Sequence, residues 1–148
     1  MTPLHPVAHY LRPIDATFEE GICFTDLGGP AMHCTNGTID NLAPDEAGCF
    51  EQIRTVLSYL PDCGTKLPPV IPCEDPVDRI SENLRTIIPR KKERMYNPRK
   101  IITEVVDKDS FFEIGALWGT TAIVGLARFG GRPVGIVSLN CEGKILYL

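Results

Sequence analysis

A chain of 148 residues with 43% hydrophobic side chains holds enough apolar material for one ordinary packed domain, or pieces of two, which argues against general disorder. Its 15 basic and 19 acidic residues leave a net charge of -4, so nothing calls for nucleic acid, and the local cluster Arg90-Lys91-Lys92-Glu93-Arg94 reads as a solvated face. The six cysteines, Cys23, Cys34, Cys49, Cys63, Cys73 and Cys141, include no CxxC pair and meet no His-x-x-x-His, so a zinc site and a disulfide framework both lack the spacing they need. Reduced, mostly buried thiols are expected.

Residues 1–26 carry prolines and no sustained period, which predicts a loosely ordered leader with one short strand near Gly21 to Phe24. The start lacks an apolar h-region and is not an arginine-rich, acid-poor helix. No apolar run approaches the roughly 20 residues of a membrane span. The expectation is a soluble intracellular protein, cytoplasmic or mitochondrial, with no targeting signal and neither membrane nor nucleic acid as partner.

The stretch LGGPAMHCTNGTIDN, Leu27 to Asn41, holds a glycine pair, an adjacent His33-Cys34 and a polar turn run. Pro44 suits the first position of a helix reaching Leu60, Asp45 and Glu46 face its positive end, and Ala47, Phe50, Ile53, Leu57 and Leu60 make an apolar stripe. Such a stripe requires cover from this chain or a partner. Asp62 to Asp75 is too rich in proline and glycine for helix or central strand and reads as an extended linker and domain boundary. A second helix is predicted with Asp75 as cap, Pro76 as first residue and Val77, Ile80, Leu84 and Ile87 on one side, stopping before Pro89. Asn97 and Pro98 repeat the device for a third, whose buried side is Ile101, Ile102, Val105 and Val106.

From Phe111 the period becomes extended, predicting three strands in SFFEIGALWG, TAIVGLARF and RPVGIVSLN. Gly130-Gly131 supplies the positive φ angles of a tight hairpin, so Thr121 to Phe129 and Arg132 to Leu139 should pair antiparallel, with Pro133 at an edge. The tail CEGKILYL has no partner strand in sight.

For chemistry, the opening stretch allows a phosphate loop, half a metal site, a nucleophile with its base, or a tight connection. Gly28-Gly29 lies well before the helix at Pro44 with no Gly-Lys-Ser/Thr after it, which favours a plain turn. His33 and Cys34 would point to opposite faces if extended, leaving a structural histidine. The acids Asp40, Asp45, Glu46, Glu104, Asp107 and Glu113 form no spaced general acid-base pair and have ready roles in capping or solvation.

The segment LGGPAMHCTNGTIDNLAPDEAGCFEQIRTVLSYLP resembles biotin-dependent acyl-CoA carboxyltransferases, in which Leu-Gly-Gly, a histidine, a (Ser/Asn)-Gly-x-x-Asp turn and a helix ending in Leu-Pro follow in this order. The later run YNPRKIITEVVDKDSFFEIGALWGTTAIVGLARFGGRPVGIVS is similar to the same family's next segment, with an aspartate before Phe-x-Glu and a G-x-A-R-x-x-G-x-P-V-G-I-V hairpin. Together they cover about Leu27 to Glu142 and imply a partial crotonase-like α/β fold. Residues 27–61 would end the first half, 62–75 would link, 76–142 would open the second half with its β-hairpin, and 143–148 would be a non-family tail.

The resemblance further implies acyl-CoA and carboxybiotin on a partner carrier, full-length carboxyltransferase or biotin carboxylase subunits as partners, and a homo-oligomer. It places the family's oxyanion-hole loops before the matched segment and beyond Asn140, so no catalytic residue is assigned. The expected function is a fragment of an acyl-CoA carboxyltransferase, inactive alone, with the alternative of a non-catalytic module that binds full-length carboxylase subunits. The change from GIVSLNCE to GKILYL suggests an ending outside the family's reading frame. The opening stretch then becomes a connection that scaffolds a CoA site, with Asn36-Gly37 as a hairpin-like reversal. Gly28 and Gly29, whose bare backbone permits close approach, are its ligand candidates.

Overall fold

A computed structural model describes residues 28–76, 78–91 and 94–142. Its elements are α1 (Pro30–Thr35), α2 (Glu46–Tyr59), α3 (Leu84–Ile87), α4 (Pro98–Val105), β1 (Phe112–Ile114), β2 (Ala122–Phe129) and β3 (Arg132–Leu139). The strand expected near Gly21 to Phe24 and the tail 143–148 lie outside the described residues.

The sheet follows the local sequence closely. Gly130 and Gly131 adopt φ of 58° and 76°, and the two-residue turn fixes the register, pairing Phe129 with Arg132 and Ala122 with Leu139. β1 pairs antiparallel on the other side of β2, giving the order β1-β2-β3. Pro133 stands on β3, an edge strand among the described residues, where its missing N–H is not needed by β2. Alternate residues Ile123 and Ala127 turn to one face and are fully buried. With Val134 and Ile136 across the ladder and Phe111 beside them, they pack on Ile102 and Val106.

That packing explains α4. Asn97 accepts the Arg99 amide at 2.9 Å and Pro98 opens the first turn, as the sequence predicts. Of the four residues expected on its buried side, Ile102 and Val106 are buried, whereas Ile101 is half-buried and Val105 is 47% exposed.

Three expectations are corrected. Helix α2 begins at Glu46 rather than Pro44, because Asp45 is the cap: its carboxylate accepts the Gly48 amide at 2.7 Å. The helix predicted from Asp75 to Ile88 shrinks to the four residues of α3. Its presumed cap, Asp75, accepts the Lys108 amide at 2.8 Å and pairs with Arg79 at 3.1 Å, while Arg79 donates to the carbonyls of Glu104 and Val106. These long-range bonds outweigh the local propensity that favoured a helix. Finally, the thiols among the described residues are not mostly buried: Cys34 is, Cys49 and Cys73 are half-buried, and Cys63 and Cys141 are exposed, while Cys23 lies outside the described residues.

The α2 stripe also stays open, with Phe50 50% exposed, Ile53 48% and Leu57 60%. No helix among the described residues is long and apolar enough to cross a membrane.

Candidate functional site

The opening stretch folds as a helix where a turn was expected. Pro30 takes the first position of α1, and the Gly29 carbonyl accepts the Met32 and His33 amides at 3.1 and 3.2 Å. Its end is made by Gly37, at φ 81°, after which the Thr38 and Ile39 amides both return to the His33 carbonyl. Asn36-Gly37 is therefore a helix terminus and not a hairpin-like reversal. A side chain at Gly37 would meet the Trp118 indole at 2.6 Å, so this terminus lies flat against the ring.

Gly28 is half-buried and Gly29 buried; Gly29 has φ -73°, an ordinary backbone angle for any residue. His33 and Cys34 sit roughly 100° apart around the helix and share no hydrogen bond. Cys34 is fully buried, and both His33 ring nitrogens are enclosed without a hydrogen-bond partner among the described residues.

The polar centre of the molecule lies elsewhere, at Arg128. The alternation of β2 turns this side chain to the face opposite Ile123 and Ala127, toward the end of α2, where it is 4% exposed. Its guanidinium donates to the Ser58 carbonyl at 2.7 Å and to the Pro69 and Gly131 carbonyls at 3.3 Å, and lies 4.7 Å above the Tyr59 ring. Tyr59 in turn donates its hydroxyl to the Ser110 carbonyl at 2.5 Å. Burial raises the Tyr59 pKa and the Arg128 charge only partly opposes it, so the phenol is held as a donor. One arginine thus ties α2, the 62–75 stretch and the hairpin together.

Asp107 completes the clamp. Its two carboxylate oxygens accept the Gly130 and Gly131 amides at 2.8 and 2.6 Å. Desolvation pushes its pKa upward, but the Gly131 and Gly130 amides, the Cys73 thiol and the Arg79 guanidinium outweigh it and hold the carboxyl below its ordinary value. The Ile71 amide donates to the Gly131 carbonyl at 3.1 Å, so closely that a side chain at Gly131 would meet the Ile71 carbonyl oxygen. At the far end of the sheet, Asn41 performs a similar service: its amide donates to the Glu113 carbonyl at 2.9 Å and its oxygen accepts the Gly115 amide at 3.0 Å. Arg99 holds the Glu113 carboxylate through two bonds of 2.7 and 2.5 Å.

A cleft of about 390 Å³ opens beside Arg128, lined among others by Cys73, Asp75, Asp107 and Lys108. The ligand atoms of Cys73, Asp75 and Asp107 lie within 4.8 Å of one another. Backbone amides and Arg79 already engage both carboxylates, and a guanidinium beside them opposes a cation, so the group works as a hydrogen-bonded clamp. Glu104 is similarly engaged by Ser81 and Asn83, which lower its pKa.

Sequence reasoning missed Arg128. Its signal was a single charge in an otherwise apolar alternating strand, a position that only a paired charge can occupy when buried.

Residues 14–147 match the family model for the carboxyl transferase domain. The match is wider than the Leu27 to Glu142 resemblance and takes in most of the tail read from sequence as non-family. The carboxylase YngE of Bacillus subtilis is 34% identical over 92% of this chain and 27% of its own length. The mitochondrial propionyl-CoA carboxylase beta chain of Homo sapiens is 35% identical over 84% of this chain and 23% of its own. The mitochondrial methylcrotonoyl-CoA carboxylase beta chain of Dictyostelium discoideum is 35% identical over 86% and 22%. The chain therefore spans about a quarter of the length of these relatives. Among solved structures, the transcarboxylase 12S hexamer with bound methylmalonyl-coenzyme A superposes with a TM-score of 0.74 at 29% identity, covering 82% of this chain and 23% of that one. The α/β fold is accordingly part of a crotonase-like carboxyltransferase fold.

Proposed function

The chain belongs to the carboxyl transferase domain family, and we propose that it forms the junction segment of an acyl-CoA carboxyltransferase, which moves carboxylate from carboxybiotin to an acyl-CoA. The observation that carries this reading is the match over residues 14–147 to a family whose members here include propionyl-CoA and methylcrotonoyl-CoA carboxylase beta chains. The cofactors would be biotin on a partner carrier and acyl-CoA, and the partners carboxyltransferase and biotin carboxylase subunits.

Carboxyl transfer requires preorganised donors for the enolate of the thioester and for the biotin ureido oxygen. The donors named above are already engaged. Arg128, Asn41, Arg99 and the Gly130-Gly131 amides all donate within the chain. Their role is positional: they fix the end of α2, the 62–75 stretch and the β2-β3 hairpin in one arrangement on which neighbouring catalytic loops can be mounted. Gly28 and Gly29 keep their place in this proposal as backbone near a CoA site.

The test is a pair of assays. The isolated chain, given a carboxylated biotin carrier and propionyl-CoA, or malonyl-CoA for decarboxylation, is expected to give no turnover. A propionyl-CoA carboxylase beta chain in which residues 28–142 replace the matched segment is expected to keep carboxylating propionyl-CoA. A folded chimera without activity, or an active isolated chain, overturns the proposal.

The exposed Phe50, Ile53 and Leu57 favour one further reading, a non-catalytic module that docks on full-length carboxylase subunits. Failure of the tagged chain to enrich such subunits over an unrelated domain would remove it.

A further inference from the structure

From Gly29 to Ile39 the backbone forms one braced unit. The Gly29 carbonyl accepts the Met32 and His33 amides; at the other end of α1 the Asn36 amide returns to Met32 and those of Thr38 and Ile39 return to His33, all at 3.0 to 3.2 Å. The Asn36 side chain also accepts the Thr38 amide at 2.9 Å. Only Asp40 separates this unit from Asn41, so where Asn41 is fixed, the Gly28-Gly29 backbone is carried with it.

Two contacts fix it, both at the connection that leaves β1. The Asn41 amide group donates to the Glu113 carbonyl at 2.9 Å and accepts the Gly115 amide at 3.0 Å. A carbonyl and an amide two residues apart are the pair that a neighbouring parallel strand would engage, so one side chain stands in for a strand at the end of β1. Arg99 of α4 grips the Glu113 carboxylate and keeps this point of attachment in place. The second contact is Trp118, whose indole lies so close over the α1 terminus that a Cβ at Gly37 would meet Nε1 at 2.6 Å. The Trp118 amide donates back to the Gly115 carbonyl at 2.9 Å, which closes the connection into a turn and holds both contacts together. With 56% of its surface exposed, Trp118 is no core residue; what its ring does is seat α1.

We propose that Asn41 and Trp118 are positioning residues for acyl-CoA binding: through the connection between β1 and β2 they set where the Gly28-Gly29 backbone stands. The proposal rests on the carboxyltransferase reading, in which that backbone lies near a CoA site. Neither side chain touches the ligand; each acts through α1. The CoA moiety is unchanged between substrate and transition state, so contacts to it lower KM without raising kcat, and their loss raises KM alone. A substitution that merely unfolds part of the protein does the reverse: it lowers the apparent kcat by removing active enzyme and leaves KM where it was. The split between the two constants separates positioning from plain stability.

The experiment has two arms. In the propionyl-CoA carboxylase beta chain that carries residues 28–142 in place of its matched segment, Trp118→Ala and Asn41→Ala are each expected to raise KM for propionyl-CoA about ten-fold, the worth of one hydrogen bond, with kcat within about two-fold of the unsubstituted chimera. Trp118→Phe, which keeps a flat ring, is expected to match the unsubstituted chimera in both constants. In the full 148-residue chain Trp118 is the only tryptophan, so its fluorescence reads the seat directly, and Asn41→Ala is expected to increase its quenching by acrylamide. An unchanged KM in an active chimera, or a lower kcat at constant KM, overturns the positioning role and leaves the carboxyltransferase reading standing. Quenching that Asn41→Ala leaves unchanged overturns it as well, because the seat would then not depend on Asn41. A folded, unsubstituted chimera without turnover defeats the carboxyltransferase reading and this proposal together.

Discussion

Replacing Arg128 by Met removes a guanidinium while keeping an unbranched apolar stem of similar reach. Three carbonyls then lose a charged donor: Ser58 at 2.7 Å, and Pro69 and Gly131 at 3.3 Å. Hydrogen bonds to charged groups contribute about 1.5–3 kcal/mol each, and the cation over Tyr59 adds about 0.5–2 kcal/mol. Against this stands the cost of holding an ion out of water, several kcal/mol for a residue that is 4% exposed. Breaking a buried charged network from one side typically costs about 3–5 kcal/mol. Ser58 is exposed, so water can replace the guanidinium at its carbonyl, and we expect the lower end, about 3 kcal/mol. Urea unfolding followed by circular dichroism measures this directly. Arg128→Lys, which keeps the charge but not the fork, should fall between Met and the native chain. A Met variant within about 0.5 kcal/mol of the native chain at unchanged m-value would refute the assignment of Arg128 as the organising group.

Gly131→Ala combines a backbone at φ 76° with a side chain placed against the Ile71 carbonyl oxygen, a contact that cannot persist. The angle alone costs about 1–2 kcal/mol, and displacement of Ile71 should speed tryptic cleavage at Lys66; an unchanged cleavage rate would show that the 62–75 stretch is not held there. For Asp107 the folded pKa is depressed, so its stabilisation is complete above the unfolded carboxyl pKa and is lost as pH falls through the folded value. Asp107→Asn should therefore unfold at lower urea than the native chain at neutral pH, and the gap should close as the solution is acidified below the ordinary carboxylate range. A gap independent of pH would contradict the role given to the carboxylate.

The parts legible in the sequence are those whose cause is local. Gly130-Gly131 announced the hairpin and its register, and Asn97-Pro98 announced α4, because turn angles and caps are properties of adjacent residues. The same logic misled at Asp75-Pro76, where the cap was drawn away by Lys108 and Arg79, and neither contact has a local signature. In α1 the signal was present but read otherwise: Pro30 as first helical residue and Gly37 just past the last turn bracket a helix too short to show a period. The clamp around Arg128 joins residues up to 70 positions apart, so only its lone charge on an apolar strand could have been noticed beforehand.

That separation has a temporal side. Chains are made from the amino end at about 5–20 residues per second, so Ser58 leaves the synthetic machinery roughly 4–14 s before the arginine that will hold it, 70 residues later. Asn41 waits equally long for Glu113, 72 residues on. Throughout that interval α2 has its cap but no anchor, while the hairpin, whose contacts are nearest neighbours, can close within microseconds of emerging. The chain's own layout therefore leaves α2 without its arginine anchor until the later-made hairpin has emerged, with its apolar stripe uncovered in the meantime.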